Sequence, residues 1–208
     1  MNDNDLTSSA AVYVTELFEK YQQPELIYHN LTHTIAVVTR TNEIVSNCQL
    51  DESDRFIVTA AAWFHDCGHM FGPAIEHEAR SIIIMREYFT PLVKDNRVIE
   101  RIEKCILATM LPNDPHSLTE EIICDADSYH LGTNEFPHIN ELVKEEFKLR
   151  NGYTPDDWDI RTLQLLENHT YFTPYCIKLL GKGKESNIEL VIKYIGKDHK
   201  TDMNSKNT

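Results

Sequence analysis

Histidines and aspartates recur in this chain at spacings that suit a metal ion. Tyr28-His29-Asn30-Leu31-Thr32-His33 is one such string, and Phe64-His65-Asp66-Cys67-Gly68-His69 is the other. The second follows an apolar run, and burying a carboxylate between imidazoles is costly unless a partner compensates. A divalent cation compensates well. Imidazole with carboxylate suits Zn, Mn, Fe, Co or Ni, and a carboxylate also suits Mg. Asp127 lies on the apolar face of a later segment, with Ile123 before it and His130 after it. Together His33, His65, Asp66 and Asp127 can hold an ion and leave positions open for water and substrate. Each alone has an ordinary structural alternative, a satisfied core histidine or a capping aspartate. Their order along predicted helices carries the reading.

Those residues need helices to position them. Val14, Leu17, Phe18 and Tyr21 form a first stripe at helical spacing, and Ile35, Val38 and Val45 continue it in a segment starting near His33. Asp51 can cap a third helix, in which Ile57, Ala60, Ala61 and Phe64 share a face up to His65-Asp66. Ala79, Ile82, Ile83 and Phe89 mark a fourth, ended before Pro91, and Val98, Ile102, Cys105 and Ile106 mark a fifth. Ser117 with Glu120 has capping-box spacing, and Ser186 with Glu189 repeats it. Thr154-Pro155-Asp156-Asp157 supplies a cap, a first-turn proline and early acids. Gly181-Lys182-Gly183-Lys184 reads as a glycine-basic turn without the spacing of a phosphate-binding loop. The expectation is an all-α single domain. Its parts are an N-terminal helix over 1–25, a metal-binding core over 26–132, completing helices over 133–197 and a disordered tail over 198–208.

Composition narrows the partners. The chain has 208 residues, with 20 Lys and Arg against 33 Asp and Glu, a net charge of -13. That balance disfavours nucleic acid and anionic membranes as partners, while leaving room for a small anion at a metal. No apolar run approaches the ~20 residues a membrane-spanning helix needs. The acidic start is unlike a secretory signal, so a cytoplasmic location is expected. Five cysteines without a Cys-x-x-Cys pair argue against a disulfide framework or a zinc knuckle.

The order His33, His65-Asp66, Asp127 resembles the HD superfamily of metal-dependent phosphohydrolases over about residues 28–132, roughly half the chain. The most specific strings are Phe64-His65-Asp66-Cys67-Gly68-His69 and Asp125-Ala126-Asp127. The resemblance implies metal ligation by His33, His65, Asp66 and Asp127, and of the last pair of acids it selects the one after alanine. Tyr28-His29-Asn30 is similar to the start shared by cyclic nucleotide phosphodiesterases of the same superfamily. That likeness implies that His29 donates a proton to the leaving oxygen, a task suited to an imidazole of ordinary pKa about 6.5. Asp66 could also orient water, and His69 could orient a bridging water or a ligand carboxylate. His77 and Glu78 open the next helix and could touch a second ion or the phosphate. His169 and Lys184 could face the substrate.

There are departures from the pattern. Thr109 stands where members with two metals have a further histidine, which favours one ion and leaves a second open. The signature of cyclic di-nucleotide phosphodiesterases is also missing. The expectation is a metal-dependent phosphohydrolase acting on a small phosphorylated compound such as a nucleotide, monoester or diester. The alternatives are a non-catalytic metal-bound nucleotide sensor and a di-iron oxygenase of the same fold. A homodimer remains an open possibility.

Overall fold

A computed structural model of the protein describes residues 3–205. Among them the order is α1 (Asp3–Tyr21), α2 (Leu31–Val45), α3 (Glu52–Phe64), α4 (His77–Phe89), α5 (Asn96–Ala108), α6 (Leu118–Asp127), α7 (Phe136–Asn151), α8 (Trp158–Asn168) and α9 (Pro174–Ser205). Short 3-10 segments run over Cys67–Phe71 and Tyr129–Gly132. The described residues contain no strand, and the fold is all-α.

The third helix is the axis of the core. It packs against α1, α2, α5 and α6, and its buried residues run almost without interruption from Phe56 to Phe64. A helix apolar on every side belongs in the middle of a bundle. The single face read from Ile57, Ala60, Ala61 and Phe64 is therefore widened by Val58 and Ala62, both fully buried. Small alanines at 60, 61 and 62 let neighbouring helices approach closely. Asp51 caps this helix by accepting the Asp54 amide at 2.8 Å.

The other helix starts follow the same chemistry, with shifts. Ser117 caps α6 through the Glu120 amide at 3.4 Å, while Glu120 accepts the amide of His116 at 2.8 Å. The helix after Thr154-Pro155 begins a turn later than its sequence suggests, at Trp158. A backbone bond from the Trp158 amide to the Pro155 carbonyl fills that turn.

Two expectations for the C-terminal part need correction. Gly181-Lys182-Gly183-Lys184 is not a turn, and no helix starts at Ser186; both lie inside α9. The physical reason is contact. A Cβ on Gly183 would sit 1.9 Å from the carbonyl oxygen of Gly132, so the glycine lets α9 lie directly on the Tyr129–Gly132 segment. The helix also continues to Ser205, past the start of the tail expected to be disordered over 198–208. Neither proline nor glycine follows Gly196 to break it. Residues 206–208 lie outside the described residues.

A second, smaller apolar cluster of Leu131, Phe136, Leu166 and Val191 joins α7, α8 and α9. No helix among the described residues is long and apolar enough to cross a membrane.

Candidate metal centre

Helix ends converge on one point. His33 lies in the first turn of α2, His65 and Asp66 follow the last turn of α3, and Asp127 is the final residue of α6. Asn30 sets the first of these: its Oδ1 accepts the amides of Thr32 at 2.8 Å and His33 at 3.3 Å and so caps α2. The Tyr-His-Asn string thus has a structural part.

The four side chains form a cage. His33 Nε2 lies 3.3 Å from Asp66 Oδ2 and 3.2 Å from Asp127 Oδ1. His65 Nε2 lies 3.3 Å and 3.6 Å from the same two oxygens. The Nδ1–H of His65 donates to the Ala62 carbonyl at 2.9 Å, which aims Nε2 into the cage, where it is buried and makes no hydrogen bond. A buried imidazole nitrogen with no hydrogen-bond partner, facing two carboxylate oxygens, is the donor set a divalent ion requires. The cage fits such an ion.

Its electrostatics agree. Burial alone would lower the His33 pKa, but hydrogen bonds to Asp127 and Asp66 outweigh it and lift the ring to about 9. His65, against its burial, is raised well above its ordinary value, chiefly by the charge of Asp66 with Asp127 beside it. Burial opposes ionisation of Asp66 and Asp127, yet the two imidazoles hold both well below the usual carboxylate range.

The two oxygens of Asp66 face different neighbours. Its Oδ2 belongs to the cage, while Oδ1 lies 3.2 Å from His77 Nε2 and 3.9 Å from His69 Nε2. Gly68 makes this possible. A Cβ there would meet the His77 carbonyl oxygen at 2.0 Å, so only glycine lets the start of α4 rest on the Cys67–Phe71 segment. The rings of His29, His69 and His77 then stack, with centroids 4.2 Å and 3.9 Å apart.

Each ring in that stack is fixed differently. His77 donates from Nδ1 to the Ala74 carbonyl at 2.9 Å, leaving Nε2 to face Asp66. His69 receives a hydrogen bond at Nδ1 from Arg150 at 2.8 Å, and a guanidinium can only donate. The hydrogen of neutral His69 is therefore on Nε2, which is buried and has no acceptor. Burial chiefly, against the pull of Asp66, lowers its pKa to about 2. His29, Asp66 and His69 also bring three donor-bearing groups together, but His69 faces that space with an N–H and suits an oxygen better than an ion.

His29 is held by Glu146 on α7. The carboxylate takes Nδ1 at 2.5 Å through Oε1, and the amides of Tyr28 and His29 at 2.7 Å and 2.9 Å through Oε2. Burial works against the charge on Glu146, but these bonds win and its pKa is lowered. An ionised carboxylate only accepts, so Nδ1 of His29 carries a hydrogen, and Nε2 is the ring nitrogen not committed to Glu146.

Sequence reasoning missed Glu146 and Arg150. In Glu145-Glu146-Phe147-Lys148-Leu149-Arg150 they look like a solvated face. The available signal was spacing: Glu146 is three residues after Val143 and four before Arg150, on the side of the helix that also carries Val143. His130, which lies beside Asp127 and whose pKa burial lowers to about 4, was also passed over as a site residue.

Other candidates divide. Glu78 and His169 line the cavity beside the cage, as does Thr109, whose hydroxyl donates to the Ile106 carbonyl. Lys184 is not brought to that cavity. Its ammonium donates to the His169 carbonyl and ties α9 to the preceding loop. Asp125 is structural: its buried carboxylate accepts the Phe172 amide and the Thr173 amide and hydroxyl at the start of α9. Cys67 is a free, buried thiol, its pKa pushed up by burial and by Asp66.

No curated protein and no solved structure gives a significant match to this chain. The family model for the HD domain matches residues 30–132. The match takes in all four cage residues, starts one residue after His29 and stops before Glu146. On this match and the all-α fold, the chain belongs to the HD superfamily, whose members are mostly metal-dependent phosphohydrolases.

Proposed function

We propose that the protein is a metal-dependent phosphohydrolase acting on a small phosphorylated compound, in the class that includes nucleotides. The observation that carries this reading is the His29–Glu146 pair at 2.5 Å, set at the edge of the His33, His65, Asp66 and Asp127 cage. A site built only to hold an ion has no use for an imidazole oriented by a buried carboxylate. A hydrolase needs one to protonate its leaving group.

In this reading His33, His65, Asp66 and Asp127 hold the ion. When bound, a divalent ion supplies Lewis-acid polarisation of a phosphoryl oxygen and lowers the pKa of water. The protein's own groups do the rest. His29 gives the proton on Nε2 to the departing oxygen, while Glu146 stabilises the charged ring and keeps its orientation. The Nε2–H of His69 donates to an oxygen placed beside Asp66 Oδ1, and Asp66 aligns the attacking water from that side. His77 Nε2, with Asp66 Oδ1, marks the position where a second ion would fit.

Metal analysis of the purified protein, followed by phosphate release from mono-, cyclic and polyphosphorylated nucleotides, tests the reading. His65→Ala should lose both metal and activity, whereas His29→Ala should keep metal and lose rate. Full activity of metal-stripped protein in the presence of chelator would overturn it.

A further inference from the structure

The cavity against the cage measures about 580 Å³, and the chemistry of its wall bears on what it can admit. Four carboxylates line it: Asp66 and Asp127 from the cage, with Glu76 and Glu78 from the start of α4. Ile75, Met110, Leu111, Val143 and Leu165 add apolar surface. Among the described residues, no lysine or arginine lines this cavity.

Four cations come near, and each is committed elsewhere. Arg40 lines a cavity that shares Tyr28, Asp127 and His130 with this one, and it pairs with Glu43 at 2.7 Å. Arg150 is held by His69 at 2.8 Å, the Gly72 carbonyl at 2.9 Å and Glu146 at 3.5 Å. Lys184 donates to the His169 carbonyl. Arg161 lines an adjoining cavity that shares Leu111 and Leu165, but it pairs with Asp157 at 2.7 Å and its side chain is 62% exposed.

One phosphoryl group can be accommodated by a bound ion with the N–H groups of His29 and His69. A second or third phosphate would add charge to a space walled by carboxylates and would meet no cation. Sites for phosphate chains place Lys or Arg along the chain for this reason. Building on the phosphohydrolase reading above, we infer that the site takes the ester of a single phosphoryl group with an uncharged, largely apolar alcohol, and selects against phosphoanhydride chains. The cavity lies within the range of about 300–1,000 Å³ common for small-molecule sites.

The step balances with water as the only co-reactant. Water oxygen bonds to phosphorus, and the bond from phosphorus to the ester oxygen breaks with its electron pair going to that oxygen. The proton of His29 Nε2 completes the alcohol. One water proton stays on the phosphate, and the other restores His29.

The test uses the full chain loaded with Mn²⁺, with free Mn²⁺ held constant because polyphosphates chelate it. Phenyl phosphate, a nucleoside monophosphate, its di- and triphosphate and pyrophosphate are compared. Binding is read by thermal shift and, separately, hydrolysis by phosphate release. The monoesters should bind and turn over at least about tenfold better than the triphosphate, a modest effect for a charged cleft. Glu76→Lys, which puts a cation on the exposed part of the wall, should narrow that ratio. Equal or tighter binding of the triphosphate or pyrophosphate by the unsubstituted protein would overturn the inference, as would absence of binding by any monoester. Selective monoester binding without phosphate release from any compound would instead remove the hydrolase reading and leave the recognition class standing. Faster release from the triphosphate would do the reverse.

Discussion

Arg150 donates through Nη1 to Nδ1 of His69 at 2.8 Å, and this contact decides which edge of the imidazole carries its hydrogen. The consequence is felt on the opposite edge, where Nε2 lies 3.9 Å from Asp66 Oδ1 and has no acceptor. Arg150→Met should free the ring to exchange tautomers. Nitrogen-15 spectra of the histidine rings should show a single Nε2–H form for His69 in the parent chain and a mixture in the variant. The rate should fall about 10²-fold or more, the usual effect of losing one oriented donor, with the metal content unchanged. A His69 that keeps one tautomer without Arg150 would refute the assignment.

Glu146 supports His29 in a comparable way, but through charge. Glu146→Gln keeps the volume and one acceptor oxygen while removing the charge that stabilises the protonated ring. The rate at neutral pH should drop by about 10²-fold or more, with the metal content unchanged. The same change weakens the hold on the Tyr28 and His29 amides, at a cost of about 1–3 kcal/mol in unfolding free energy. A rate that falls no further than the loss of folded protein would leave Glu146 a purely structural role.

Glu146 also shows where the sequence stops being informative. Apolar spacing locates α1 through α5, although Ile35 and Ile83 of those stripes are exposed and α3 is buried all round, and His65-Asp66 stands out because charged groups are rare after a buried run. A buried glutamate among exposed ones has the same letter as its neighbours. Its partner His29 is 117 residues away, and only the approach of α7 to the segment before α2 joins them. The Gly181–Gly183 stretch misleads for a related reason. Glycine is the mark both of a turn and of a close approach between backbones, and the sequence does not carry the partner, Gly132, that decides between them.

That ambiguity makes a paired test. A Cβ at Gly181 meets nothing within 4 Å, whereas one at Gly183 falls 1.9 Å from Gly132 oxygen. Gly181→Ala should stabilise the protein by about 0.5–1 kcal/mol through helix propensity. Gly183→Ala should destabilise it by more than that, about 1–3 kcal/mol, since α9 must move off the segment that follows Asp127. Equal melting temperatures for the two variants would mean that α9 does not lie against Gly132.

Protons and a metal ion compete for the same nitrogens, and this fixes the sign of the pH dependence. In the ion-free chain His33 is lifted to about 9, mainly by Asp127 and Asp66 working against its burial. Because its folded pKa lies above the unfolded one, its stabilising contribution is complete below pH about 6.5 and fades as pH rises toward 9. Ligation needs the neutral ring, so metal binding must expel this proton. His65, also raised, adds to the effect. The melting temperature of chelator-treated protein should therefore fall between pH 6.5 and 9, a window set by about the ordinary and raised histidine values, while metal affinity climbs about tenfold or more per pH unit. Calorimetry of Mn²⁺ binding in buffers of different ionisation enthalpy counts the protons released. Between one and two are expected near pH 7.5 from His33 and His65 together, about the middle of that window. Release of none would mean that the cage holds its histidines neutral before the ion arrives, and that the two aspartates do not draw a proton into it.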